Sequence, residues 1–279
     1  MKLVTCLHRG EERVGALTEA GVVFLPFPDM NTLIETCPPG AFAAPGRPVP
    51  LEEVTLLAPI PRPRQDIICL GMNYRDHERE AARYDAEAFA KDKPAAVYFS
   101  KRVTEAGRPG GEIPRYAGLV ERLDYEAELA VILGRDARNV KAENAGDYVF
   151  GYTVLNDVSA RDLQTGHKQW YFGKSLDGFT PMGPCILTAD ETAFPPALDI
   201  LAKVNGELRQ HSNTSLLIHG IGEILEELSA GMTLRAGTIL ATGTPAGVGM
   251  GFDPPRFLEA GDEVACTIAG IGTLRNTVR

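Results

Sequence analysis

The chain has 279 residues, enough for one large domain or two modest ones at about 150 residues each. With 44% hydrophobic and 23% charged residues it has the composition of a folded globular protein, which excludes extended disorder. A formal charge of −9 argues against a nucleic-acid partner, because surfaces that bind phosphates carry basic excess.

No apolar run approaches the roughly 18 residues that cross a bilayer, so no membrane partner is expected. The apolar stretch 3–7 meets His8, Arg9, Glu11 and Glu12 too early for a signal peptide, and a cytoplasmic location follows as the expectation. Cys6, Cys37, Cys69, Cys185 and Cys266 are odd in number, widely spread and without a C-x-x-C pair. They read as buried thiols.

Residues 1–60 read as a small β-rich unit, with apolar Val4, Val14, Ala16, Leu17 and 22–25, followed by a linker broken by Pro38, Pro39, Pro45, Pro48 and Pro50. A second cluster, Pro59, Pro61 and Pro63, precedes the apolar run 67–70, which opens the main domain at 61–279. Segment 76–93 is rich in helix formers and mixed charge but poor in apolar residues, so its helix would expose most of its surface and could move. Strands are expected at 95–100, 125–133, 148–155, 185–188, 200–204, 237–241 and 263–268, giving an α+β, mostly β fold. Asn205-Gly206 supplies the two positive φ angles of a type I′ hairpin turn. A helix is expected over 216–229, capped by Asn213 or Thr214, with Leu217, Ile221, Ile224, Leu225 and Leu228 on one face and Gly231 beyond its end.

The sharpest chemical signal is Glu126 and Glu128 inside an apolar strand, because a period of two aims both carboxylates at one face. If that face is interior, two neighbouring anions need a cation between them or a proton on one. A half-solvated strand with a polar face is the structural alternative. Asp157 follows the apolar run 149–155, where a strand would end, although Asn156-Asp157 is also an ordinary turn signal. Three oxygen ligands without His or Cys favour a hard ion such as Mg²⁺ or Mn²⁺. His77 and Glu80, three apart on a helix, share a face, so the carboxylate can orient the imidazole as a general base; an exposed His in a charged helix is the alternative. His8, His167, His211 and His219 lack such a partner. Lys174 stands between glycine and aromatic residues that can bury its stem, against the default of a surface lysine. The glycine-rich 242–249 lacks the P-loop and dinucleotide patterns but can present backbone N–H groups to a carboxylate.

In chain order, N-Y-x-x-H-x-x-E at 73–80, D-Y-E-x-E-L-A at 124–130, N-D-V-S-A-R-D-L-Q at 156–164, G-K-S-L-D at 173–177, K-V-N-G-E-L-R-Q at 203–210 and T-G-T-P-x-G-V-G at 242–249 resemble the fumarylacetoacetate hydrolase family. The resemblance covers roughly residues 60–279. It implies layered mixed β-sheets, usually in a homodimer, with Mg²⁺ or Mn²⁺ held by Glu126, Glu128 and Asp157. It also implies that His77 and Glu80 form a dyad on a lid, and that Gln164, Lys174 and Thr244 contact substrate.

The implied partner is a small 2-oxo acid. The implied reaction is metal-dependent hydrolysis of a C–C bond in a 2-oxo or 2,4-dioxo acid, with a metal-stabilised enolate, Lys174 beside it, and water activated by His77. Decarboxylation of an oxaloacetate-type acid, or enol–keto isomerisation, would use the same site. A scaffold or sensor without turnover is a third reading. Met72 stands where many acylpyruvase-like members carry Arg, and Lys168-Gln169-Trp170 resembles the branch with hydrolases of diketo-deoxy sugar acids.

Overall fold

A computed structural model describes residues 1–41, 44, 46–81 and 95–279. Among these, the dominant element is a ten-stranded mixed sheet. Its order is Gly21–Phe24, Glu11–Thr18, Lys2–His8, Met182–Thr188, Val149–Asn156, Ala127–Leu133, Ile239–Ala241, Ile67–Gly71 and Val97–Lys101, with Thr55–Leu56 paired to Lys2–His8 off that path. Ile67–Gly71 and Ile239–Ala241 run parallel, so residues 72–80 and 242–251 leave the same edge of the sheet side by side. That shared exit builds the site described below.

The central strands Ala127–Leu133 and Val149–Asn156 are buried along their whole length, because both faces of the sheet are covered. Leu129, Val131 and Leu133 belong to a core shared with a five-stranded sheet and with helix Ile221–Gly231. Ala130 and Ile132 point the other way, into a core with Met30, Leu33 and Ile34 of helix Met30–Thr36. The five-stranded sheet is ordered Glu207–Asn213, Asp199–Val204, Glu263–Ile268, Gly272–Val278 and Glu112–Ile113. The chain is thus mostly β in layered sheets, as the sequence implied.

The N-terminal strands extend the central sheet, with Lys2 opposite Leu187 and Leu3 opposite Ile186. The N-terminal ammonium donates to Thr188 Oγ1 and Glu191 Oε1, both at 2.6 Å. The expected boundary near residue 60 therefore falls inside a shared sheet and a shared core.

Two local expectations need correction. The helix starts at Ile221, not at 216, and Gly231 is its last residue. Leu217 bridges Tyr74, the Ile218 N–H donates to Asn73 O, and the His219 N–H donates to Asn73 Oδ1, so tertiary pairing holds this stretch extended. Asn213 caps a separate turn, Thr214–Leu216, whereas Gly220 precedes the helix and its N–H reaches Glu223 Oε2. Glu126 lies just ahead of strand Ala127–Leu133 rather than within it. The Asn205-Gly206 turn forms with φ of 51° and 81°. Cys6, Cys69, Cys185 and Cys266 are buried, whereas Cys37 is half-buried. No described helix is long and apolar enough to cross a membrane.

Candidate active site and metal centre

Strand register brings the three expected metal ligands together. Asn156 pairs with Ala127, so the chain on either side of this pair places Glu126 next to Asp157. Two hydrogen bonds lock that juncture: the Asp157 N–H donates to Glu126 O (2.9 Å), and the Glu126 N–H donates to Asn156 Oδ1 (3.0 Å). Glu128 follows on the same face, opposite Leu155. All three side chains are buried, and their carboxylate oxygens converge within 4.8 Å of one another.

Cations surround this cluster unevenly. Lys174 Nζ donates to Glu126 Oε2 (2.8 Å) and Asp157 Oδ2 (2.7 Å). Lys101 Nζ donates to Asp157 Oδ1 (2.6 Å) and Val158 O (3.1 Å). Arg161 pairs with Glu126 Oε1 through Nη1 (2.7 Å) and with Asp124 Oδ2 through Nε (2.8 Å). Glu128 is the carboxylate left over. Its Oε2 accepts the Gly243 N–H (2.9 Å), but its buried Oε1 has no partner among the described residues.

Titration follows the same division. Burial alone would raise the Glu126 carboxyl, but Lys174 and Arg161 outweigh it and hold the group well below the ordinary carboxylate range. Burial, then the charges of Asp157 and Glu126, push Glu128 well above that range. Burial would lower the Lys174 ammonium, yet Asp157 and Glu126 raise it overall. Burial lowers Lys101, with Asp157 opposing. The donor set fits a hard divalent ion: Glu128 is a buried oxygen donor with no cation paired to it among the described residues, next to two more carboxylates. Glu126, Glu128 and Asp157 are the residues that would hold it.

The opposite wall comes from the two segments that leave the sheet together. Helix Arg75–Ala81 carries His77, whose Nδ1 lies 3.0 Å from Glu80 Oε2, and Glu80 in turn accepts the Gly247 N–H at 3.2 and 3.3 Å. Neither side chain is the exposed group that the charge pattern suggested, since only 12% of His77 and 13% of Glu80 is accessible. The remainder of the expected lid helix, residues 82–93, lies outside the described residues. The glycine-rich loop does offer N–H groups to carboxylates, but to the protein's own. Gly243 serves Glu128, Gly247 serves Glu80, and Gly249 and Met250 serve Asp124 at 2.7 and 3.0 Å.

A cavity of about 260 Å³ lies between these walls, lined by His77, Glu80, Glu126, Gln164, Lys174 and Thr244 among others. Gln164 Oε1 accepts from Arg161 Nη1 (3.0 Å). The Thr244 hydroxyl donates to Ala127 O (2.9 Å) and accepts from Gln210 Nε2 (2.8 Å), which ties it to the floor strand. Sequence reasoning assigned no role to Lys101, Asp124 and Arg161. Arg161 lies inside the N-D-V-S-A-R-D-L-Q motif, so its spacing from Asp157 was a usable signal. Lys101 ends an otherwise ordinary strand, and nothing local marks it as fully buried.

A family model described as the C-terminal domain of fumarylacetoacetate (FAA) hydrolase matches residues 66–279. The oxaloacetate tautomerase YisK of Bacillus subtilis is 48% identical over 228 residues, which span 82% of this chain and 74% of that protein. A fumarylacetoacetate hydrolase from Exiguobacterium antarcticum superposes with a TM-score of 0.87 at 39% identity, over 100% of this chain and 99% of the other. A 5-carboxymethyl-2-hydroxymuconate delta-isomerase from Mycobacterium smegmatis gives a TM-score of 0.80 at 34% identity, with 100% and 99% covered. With the acidic cluster, the dyad and these likenesses in hand, the chain belongs to the fumarylacetoacetate hydrolase family.

Proposed function

We propose that the protein is a divalent-metal-dependent enzyme that interconverts the keto and enol forms of an oxaloacetate-type 2-oxo diacid. This replaces C–C hydrolysis, which the sequence alone put first, as the leading reading. The observation that carries it is the placement of one held base, His77, across a cavity from an acidic cluster with a protonated lysine. Such an arrangement suffices for proton transfer next to a carbonyl. The likeness to a Bacillus subtilis oxaloacetate tautomerase supports the same choice.

Mg²⁺ or Mn²⁺ on Glu126, Glu128 and Asp157 would supply Lewis-acid stabilisation of the substrate's carbonyl oxygen. The chain's own groups do the rest. Arg161 Nη2 is buried at the cavity with no partner among the described residues, so it offers a free donor to a substrate carboxylate. Lys174, held in its charged form by Glu126 and Asp157, places positive charge beside the oxygen that becomes anionic. His77, oriented by Glu80, takes the proton from C3 and returns it in the reverse direction. The enolate oxygen exchanges its proton with water.

The test follows the ultraviolet absorbance of enol-oxaloacetate with Mn²⁺ or EDTA, alongside assays for CO₂ and pyruvate. Metal-dependent enol loss without CO₂ is the expected result. CO₂ release in step with enol loss would make the protein a decarboxylase. Faster cleavage of acylpyruvates than tautomerisation of oxaloacetate would restore the hydrolytic reading, which the likeness to the Exiguobacterium antarcticum hydrolase keeps in view.

A further inference from the structure

The cavity is lined by two chemically different sets of residues. Part of its lining is ionic, with Glu126, Arg161 and Lys174, whereas the rest includes Gly71, Met72, Phe99, Trp170, Val248 and Met250. Trp170, the single tryptophan of the chain, is packed on two sides. The backbone at Gly71 passes so close beneath the indole that a Cβ there would overlap the ring. Phe99 meets the indole edge-on, with centroids 5.3 Å apart and planes at 70°, a favoured aromatic geometry.

The third constraint ties Trp170 to the ionic lining. Its carbonyl accepts the Lys174 N–H (3.1 Å), so indole and ammonium are carried by one helical turn, Tyr171–Lys174 and the residue before it. The Lys174 ammonium also lies 5.3 Å from the centre of the Phe99 ring. That turn sits backbone to backbone on helix Arg161–Gly166, where a Cβ on Gly173 would come within 2.7 Å of Ala160 O. The backbone that carries the indole is thus fixed, and the ring itself is backed by Gly71 and edged by Phe99, so a larger molecule must displace it from that packing.

We propose that Trp170 sets substrate size. It restricts the site to 2-oxo acids with a compact group beyond C3, such as a carboxylate, and rejects those with a bulky or aromatic acyl group. The proposal rests on the functional reading above, in which a 2-oxo acid binds with a carboxylate at Arg161 and its carbonyl toward the ion that Glu126, Glu128 and Asp157 would hold. A hydrophobic wall discriminates by about 10- to 200-fold for each methylene that it admits or refuses. Removal of an indole should therefore change relative affinity for large and small acids by at least about 10-fold.

The experiment titrates the Mn²⁺-loaded wild type, Trp170→Ala and Trp170→Phe with oxalate and with benzoylpyruvate by calorimetry. Fluorescence of the wild type, excited at the red edge where indole absorbs and the eight tyrosines do not, reports on Trp170 and is followed in parallel. We expect oxalate to bind all three proteins and to shift the wild-type emission. The ratio of benzoylpyruvate to oxalate affinity should rise at least about 10-fold in Trp170→Ala and by less in Trp170→Phe. Oxalate binding with an unchanged ratio in the folded variants overturns the wall and leaves the functional reading standing. Failure of oxalate to bind the wild type overturns both. If Trp170→Ala does not fold, Trp170→Phe decides the matter, and an unchanged ratio there counts against the proposal.

Discussion

The floor of the site and the dyad opposite it are built by different means. The floor hangs on the two central strands, buried along their length, with register and main-chain hydrogen bonds fixing Glu126 against Asp157. The dyad sits on a short helix outside the sheet and is held through Glu80 by one N–H of the 242–251 loop. Strand pairing can fix buried charges at separations that would otherwise repel. A loop contact fixes a base while leaving a small change able to displace it. The contrast predicts that substitutions in the floor act on stability and ion binding, whereas those around the dyad act on turnover.

Asp157→Ala should show the floor's side of that division most severely, and a variant as stable as the wild type would break it. The substitution leaves two buried ammonium groups, Lys101 and Lys174, short of their shared carboxylate, and removal of one partner from such a pair costs about 3–5 kcal/mol. Urea unfolding measures the loss. His77→Ala should lower kcat by about 10²- to 10⁴-fold while the thermal shift given by Mn²⁺ stays unchanged; a lost shift would mean that the dyad and floor are not separable.

Glu128→Gln sharpens the comparison within the floor. Because this carboxylate has no cation paired with it among the described residues and is pushed toward its neutral form, the metal-free variant should melt no lower than the wild type. Its stabilisation by saturating Mn²⁺, about 2.7 kcal/mol at 100 times Kd in the wild type, should disappear. Gly251→Ala tests the dyad's anchorage, since a Cβ there would overlap the Glu80 carboxylate. Turnover should fall on the order of 10-fold, about 1.4 kcal/mol, with Mn²⁺ binding intact. At the far end of the scale, Gly206→Ala in the hairpin of the second sheet, at φ 81°, should cost about 1 kcal/mol of stability and leave kinetics alone.

Much of the site was legible because its chemistry is written in short spacings. Glu126 and Glu128 two apart, and His77 and Glu80 three apart, share faces by backbone period alone. The carboxylates' interior location was legible only as one of two alternatives. Burial of Glu128 depends on strand pairing that sets it against Asp157 and on the loop after strand Ile239–Ala241, whose Gly243 N–H reaches its carboxylate, and both come from remote parts of the chain. The helix expected at 216–229 forms from Ile221 onward, and its expected first turn is lost for a related reason. Leu217 has the right period, but pairing with Asn73 and Tyr74 overrides it.

The sequence by itself determined which residue types were available at which faces: the acidic pair, the dyad, the hairpin turn and the mostly β pattern, all set by local backbone period and turn geometry. Tertiary structure decided which charges would be neutralised. Lys101 meets Asp157 and Arg161 meets Asp124 across 56 and 37 residues of chain, and Glu128 is left without a paired cation among the described residues only once those contacts are in place. Electrostatic need is a property of the assembled interior, since a charge becomes costly when water is gone.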